Sequence, residues 1–372
     1  MSLLFAISYA GAFAAEPKSG QIADSLRALE QVGPDGAGHR AAQAAWKQLA
    51  ELDAANLPAL LLALDHAEPL AANWIRSAIE SIAAREQKAG RPLPVAEIED
   101  FLRERTHAPR ARRLAFELLA SVDPTAPDRW IPQMLDDPSV ELRRDAVARL
   151  LDQAAALAAQ MQTDAAVKTF RQALGAARDL DQLKLAADEL KKLGVEIDLP
   201  KQLGLITAWK VVGPFDNTGG KGYSAVYPPE EGVDLAKTYA GKAGELHWQD
   251  AASADPFGHI DLNRALGKEK GVVGYAYAVF KSDRRQPVEL RLGSDNAFQL
   301  WLNGKRINDA EIYHSFTSLD QYIARGELEP GENQILVKLC QNEQTEEWAG
   351  DWKFQLRVCD ATGGAILSED RK

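Results

Sequence analysis

The sequence predicts a chain in two parts, an array of α-helical hairpins followed by an antiparallel β-sandwich. Three observations carry that expectation. Of the 27 aromatic residues, 9 lie in residues 1–200 and 18 in 201–372, and 19 of the 27 glycines also fall in the second part. A short pattern, Arg-x-Ala-apolar-x-x-apolar, recurs three times in the first part. Runs that alternate apolar and polar residues, divided by Gly and Asn, recur in the second.

At the start of the chain, Leu3 to Ala15 is a run of apolar and small residues holding the triplet Ala12, Phe13, Ala14, and Glu16, Pro17 and Lys18 follow it. Residues 1–15 read as a secretory signal peptide, since a run of 13 apolar and small residues is too short to span a bilayer. The missing basic residue before Leu3 leaves a short core helix as the alternative. Export to the periplasm or the extracellular space is the expectation, and no cysteine follows the run to take a lipid anchor. No other apolar run reaches the roughly 20 residues of a membrane helix.

Residues 21–194 form the helical part. The repeated pattern falls at Arg76, Ala78, Ile79, Ile82, then at Arg113, Ala115, Phe116, Leu119, and again at Arg144, Ala146, Val147, Leu150, at separations of 37 and 31 residues. A recurrence of this length predicts stacked helical hairpins, each needing a neighbour to bury its apolar stripe. Pro69, Pro109 and Pro138 stand where the first turn of each repeat helix is due. The best example, Asp136, Asp137, Pro138, Ser139, Val140 followed by Arg143 and Ala146, resembles the HEAT repeat family, and the resemblance covers about Leu57 to Leu151. Ala166, Phe170, Ala173 and Leu174 have the spacing of a TPR-like second helix, and Leu180 to Leu193 predicts another amphipathic helix. Arg110, Arg112 and Arg113 form a basic cluster, expected to be a solvated helix face rather than a phosphate site.

Gly194 and Pro200 bracket the joint, and residues 201–372 form the β part. Its strands are expected at Ala208 to Gly213, Val273 to Ser282, Val288 to Gly293, Ala297 to Leu302, Gln334 to Gln341 and Trp352 to Asp360. Asn303 and Gly304 predict a two-residue type I′ hairpin. Period two puts Phe298, Leu300 and Leu302 in the core, with Gln299, Trp301 and Asn303 on the other face. The segment from Gly293, Ser294, Asp295 and Asn296 into Trp301, Leu302, Asn303, Gly304 and Lys305 resembles galactose-binding-like β-sandwich modules. Pro330, Gly331, Glu332 and Asn333 before Ile335 to Leu339 resemble their closing strand, and Trp209 to Asn217 their opening segment. The whole arrangement is similar to exported HEAT-repeat proteins of planctomycete type with a C-terminal module of this kind. The resemblance implies a jelly-roll fold, and relatives that bind sugars or only pack beside enzymes.

A net charge of −11 is the wrong sign for a chain that neutralises phosphates, so nucleic acid is not an expected partner. The expected ligand is carbohydrate or another envelope polymer, bound by flat aromatic faces and planar amides or carboxylates. The polar loop Asn342 to Asp351 supplies these types in Asn342, Glu343, Glu347 and Trp348, and Trp301, Asn303, Tyr313 and His314 are candidates for the same surface. The rival expectation is an interaction scaffold that binds a protein partner in its helical groove and carries a structural sandwich.

No metal centre is expected from the six scattered histidines, which show no HExxH. Asp216, Asn217, Asp295 and Asn296 are oxygen donors that could hold a structural calcium ion, or are ordinary turn residues. No other cofactor is implied. Serine elbows and phosphate-cradling glycine loops are absent, and nothing in Glu230, Glu231, Glu346 or Glu347 marks a glycosidase acid pair, so a non-catalytic binding protein is the expectation. Cys340 and Cys359 are expected to remain free thiols, because a hairpin through the Asn342 loop would hold them apart.

Overall fold

The computed structural model describes residues 19–371. The signal-like segment 1–15 lies outside the described residues. Helices occupy the N-terminal half and antiparallel sheets the C-terminal half, and by internal contacts the chain divides into two units at Arg149 and Leu150.

In the first unit, α1 (Ser19–Glu30), α2 (His39–Ala50), α3 (Leu57–Ala63), α4 (Pro69–Lys88), α5 (Val95–Arg103), α6 (Pro109–Val122), α7 (Ala126–Trp130) and the first turns of α8 (Val140–Ala159) follow one another. Pro69 and Pro109 open α4 and α6, where a missing N–H costs nothing. The repeat alanines Ala78, Ala115 and Ala146 are buried, so neighbouring helices approach closely, and Ile79, Ile82, Phe116 and Leu119 fill the core with them. The repeated arginine has a second use. Arg76 pairs with Glu80 one turn on and with Glu117 of the next repeat, both at 2.7 Å, while Arg113 pairs with Glu117 at 2.8 Å and Asp145 at 2.5 Å.

The basic cluster at 110–113 is not a solvated face. Arg112 is buried against Asp137 and donates to the Leu102 carbonyl at 2.9 Å, because Asp137 is itself sealed in the turn before α8 and needs a cation. Arg110 donates to the carbonyls of Leu64 and Ala67, close after α3, and Arg113 is part of the repeat ladder.

The second unit opens with the rest of α8, then α9 (Thr163–Ala176), α10 (Leu180–Lys192) and α11 (Leu199–Leu203). Ala166, Phe170, Ala173 and Leu174 are the buried face of α9, as their spacing predicts. These helices belong with the sheets: Arg178 donates to Thr362 at 3.2 Å and the Lys184 ammonium lies over the Phe257 ring, while Gln202 of α11 donates to the Leu174 carbonyl of α9 at 3.3 Å.

The strands are β1 (Ala208–Asp216), β2 (Tyr239–Ala240), β3 (Glu245–Leu246), β4 (Gln249–Ala252), β5 (Ile260–Asp261), β6 (Val272–Ser282), β7 (Gln286–Ser294), β8 (Ala297–Leu302), β9 (Lys305–Ala310), β10 (Tyr322–Leu328), β11 (Gly331–Gln341) and β12 (Lys353–Cys359). Short helices α12 (Pro228–Glu231) and α13 (Leu262–Leu266) lie between β1 and β2 and after β5. A six-stranded sheet runs β4-β1-β6-β11-β8-β9 and a four-stranded sheet β10-β7-β12-β5, every pairing antiparallel, and the sheets do not close into a barrel. Phe298, Leu300, Leu302, Ile335, Val337 and Leu339 from the large sheet meet Leu290, Leu292, Phe354, Leu356 and Val358 from the small one in a shared core, with Trp352 beside them. The Asn303-Gly304 turn has φ of 52° and 76°, the left-handed pair that a type I′ hairpin requires.

The outer face of the large sheet is not open to solvent. Residues 217–248, between β1 and β4, fold over it and pack Tyr223, Tyr239 and Leu246 on Phe215, Tyr275 and Cys340. Cys340 and Cys359 are free, as expected, and also buried, but they are not kept apart by a hairpin: β11 and β12 lie in different sheets, with each thiol on its own sheet's outer side.

Candidate functional site

The outer face of the large sheet is ruled by strand register. Reading across β6, β11 and β8, Cys340 pairs with Val273 and Ala297, Lys338 with Tyr275 and Gln299, and Leu336 with Tyr277 and Trp301. Gln334 then pairs with Val279 and exchanges hydrogen bonds of 2.8 Å with Asn303, whose own backbone N–H reaches the Gln334 carbonyl. These rows of three side chains meet the covering segment differently.

The Tyr275–Lys338–Gln299 row is sealed. The Lys338 ammonium is fully buried and donates to the carbonyls of Tyr223 at 3.1 Å and Ala225 at 2.6 Å and to the Glu230 carboxylate at 2.9 Å. The Tyr275 hydroxyl donates to the same carboxylate oxygen, and Gln299 donates to the Tyr223 carbonyl at 3.2 Å. The rings of Tyr227 and Tyr275 stand 5.4 and 5.9 Å from the ammonium. Burial, then the Glu230 contact, pushes the Tyr275 hydroxyl far above the usual phenol range, so it stays a donor. This network clamps residues 223–231 to the sheet.

One row further along, the cover ends and a cleft of about 380 Å³ opens. Its floor is the Tyr277–Leu336–Trp301 row, one wall is Pro229 to Val233, and Asn303, Glu332 and Gln334 form the opposite rim. Glu231 of α12 faces the cleft and makes no ion pair among the described residues, whereas Glu332 pairs with Lys281 at 3.3 Å. Trp301 and Tyr277 are 9% and 8% exposed, so a small part of each ring reaches the cleft while the rest packs under the cover.

The eight candidate ligand residues therefore separate. Trp301 and Asn303 belong to the cleft. Asn342, Glu343, Glu347, Trp348, Tyr313 and His314 lie on loops at the other end of the strands, roughly 20 Å away along β11 at the strand rise. Most of these are engaged in closing loops. Asn342 bonds Gln344 at 2.6 Å, Glu343 accepts the Gly219 N–H at 3.0 Å, and His314 bonds the Tyr322 hydroxyl at 2.7 Å. Tyr313 is half-buried, and burial pushes its hydroxyl up to about 12. Trp348, at 52% exposure, presents a free ring next to Glu347.

Each of the four candidate calcium donors makes hydrogen bonds within the protein. The Asp216 carboxylate takes the Thr218 N–H and hydroxyl, which hold it below its ordinary range, and lies 3.7 Å from Lys242. Burial raises the Asp295 carboxyl, which accepts from Thr317 and faces Lys353 at 3.8 Å. Asn217 and Asn296 spend their amide N–H groups on Gln341, at 2.9 Å each, and each leaves its own carbonyl oxygen without a hydrogen-bond partner. A calcium ion needs six to eight oxygens, usually with several carboxylates. Among the described residues there is no group of three or more His, Cys, Asp or Glu that could hold a metal, and no helix is long and apolar enough to cross a membrane.

Sequence reasoning missed Lys338 and Glu230 as partners. Period two puts Lys338 on one face with Leu336 and Cys340, but nothing local shows that residues 217–248 return to cover it.

No known family profile matches the chain, and no curated protein matches it. Among solved structures it is similar to a β-glucosidase from Kluyveromyces marxianus, selenomethionine-labelled (12% identity) and in complex with glucose (13%), each with TM-score 0.27 over 49% of this chain and 22% of that one. It is also similar to a GH31 α-xylosidase from Xanthomonas citri, at 11% identity and TM-score 0.21 over 42% of this chain and 16% of that one. The chain thus spans about a fifth of the length of these proteins. The expectation of a non-catalytic chain is corrected on this finding, since the similar solved structures are glycoside-cleaving enzymes. At these scores the likeness assigns no activity in its place.

Proposed function

We propose that the β part is a carbohydrate-binding module whose ligand lies in the cleft over Tyr277, Leu336 and Trp301. The observation that supports this reading is the register row itself. Three neighbouring strands put an apolar, partly aromatic floor about 10 Å wide under the cleft, the scale of one sugar ring with its substituents. Around it stand the side-chain amide of Gln334 and the carboxylate of Glu231, groups that take hydroxyls, with the Asn303 amide held at the rim by Asn333 and the Gln334 N–H, both at 2.8 Å. In this reading the fold is a galactose-binding-like jelly roll on an exported protein, and the helices stack as a HEAT-like solenoid that serves as platform. A second reading places the ligand on the Asn342 loop, favoured by the exposed ring of Trp348.

A glycan array probed with the full chain tests both. In the first reading Gln334→Ala, a rim change, weakens binding about tenfold, Trp301→Ala abolishes it, and Trp348→Ala leaves it unchanged. The reverse pattern moves the site to the Asn342 loop. A folded chain that binds no sugar refutes the proposal and turns the search to protein partners of the helices.

A further inference from the structure

We infer that the cleft selects uncharged sugars and rejects acidic ones, and that Glu231 is the residue that sets this preference. The inference rests on the reading of the cleft as a sugar site and names the ligand class. Recognition of a uronate or a sulfated sugar needs an available ammonium or guanidinium. No Lys, Arg or His lines this cleft. The cations on the strands that carry or flank it are each engaged elsewhere: Lys338 is sealed beneath the wall against Glu230 at 2.9 Å, Lys281 is paired with Glu332 at 3.3 Å, Lys210, beside Tyr277 in register, is paired with Asp250 at 2.6 Å, and Arg306, beside Trp301 in register, is paired with Asp309 at 3.7 Å.

What the cleft does present is negative. Glu230, Glu231 and Glu332 all line it, two of them compensated by the lysines just named, which leaves Glu231 as the unbalanced charge. Its position is fixed by its neighbour. Glu230 is pinned by Lys338 and Tyr275, and its carboxylate also accepts the Tyr227 N–H at 3.3 Å across the single turn of α12, so the next residue is carried to the cleft wall by the same anchor. An anionic sugar on the Tyr277–Leu336–Trp301 floor therefore meets a like charge with no counterion. A like charge about 6 Å away in a partly screened site costs about tenfold in affinity. A neutral ring loses nothing and can donate its hydroxyls to the same carboxylate.

The test titrates the full chain with methyl β-D-glucoside and methyl β-D-galactoside and with their uronate counterparts, which differ only at C6, following tryptophan fluorescence. The expected result is neutral over acidic binding by about tenfold at low salt, a gap that narrows as salt screens it. Glu231→Gln should bring the acidic glycosides to within about threefold of the neutral ones, and Glu231→Lys should invert the order. Both changes lie on an exposed turn and leave the Glu230 anchor in place. Equal binding of neutral and acidic glycosides by the parent overturns the inference while leaving the sugar reading intact. A preference unmoved by either Glu231 variant overturns it as well, and binding of neither class overturns both.

Discussion

The Lys338–Glu230 pair makes a quantitative prediction, because two charges are held out of water on the outside of a sheet. Lys338 is fully buried and Glu230 nearly so, and the carboxylate also receives the Tyr275 hydroxyl. Removing one partner strands the other: Glu230→Gln leaves an ammonium with only the Tyr223 and Ala225 carbonyls, and Lys338→Met leaves a carboxylate with only uncharged donors. Each single change should cost about 3 kcal/mol, at the low end for breaking a buried pair because some hydrogen bonds remain. The double variant removes both charges, and the methionine stem fills the space of the lysine, so it should cost about 1–2 kcal/mol in total. The coupling between the two sites is then about 4–5 kcal/mol. Urea unfolding of the full chain, followed by tryptophan fluorescence for the sheet unit, supplies the four free energies. Single variants costing under about 1 kcal/mol, or a double variant equal to the sum of the singles, would refute the claim that this pair clamps the cover.

Three further outcomes follow from other parts of the chain. Asp137→Ala strands the buried Arg112 and removes the acceptor of the Ser139 N–H, so the helical unit should lose about 3–5 kcal/mol, read from urea unfolding at 222 nm. Hydrogen bonds from Arg91, opposed by burial, and then from Arg85 lower the Glu86 carboxyl from 4.5 to about 2; its contribution is therefore complete above pH 4.5 and lost as pH falls toward 2, and Glu86→Gln should flatten the acid limb of the melting temperature in that window. Cys340 and Cys359, pushed by burial up to about 12 and about 11, should resist iodoacetamide in the folded chain and both label after unfolding; a mass two protons short would contradict the free-thiol assignment.

Much of the fold was legible because local periodicity and long-range packing agree. The alternation through Phe298, Leu300 and Leu302 gives the core face of β8, Asn303-Gly304 its turn, and Trp352 falls in the core with Phe354. The repeat alanines and prolines likewise mark α4 and α6. What escaped depends on contacts distant in sequence. β10 carries Arg325 and Glu327 on a sheet edge, which hides its apolar alternation, and β9 is nearly all polar. Arg112 looked solvated because its partner Asp137 lies 25 residues away. Trp301 and Asn303 share residue chemistry with the Asn342 loop, and only the pairing of β8 with β11 separates them from it. Local pattern therefore finds faces, while the division of the outer face into sealed and open rows is set by a segment whose return path carries no periodic signal.

The floor of the cleft and its wall come from different kinds of chain. Tyr277, Leu336 and Trp301 sit on three central strands whose inward neighbours are core, so changing their backbone would disturb both sheets. Pro229 to Val233 belong to an excursion between β1 and β4 that can lengthen or shorten without altering strand order. On the proposed sugar reading, recognition is modular within one small fold: transplanting a different excursion at 217–248, with a Glu at the position facing Lys338, should exchange one ligand preference for another on an unchanged scaffold.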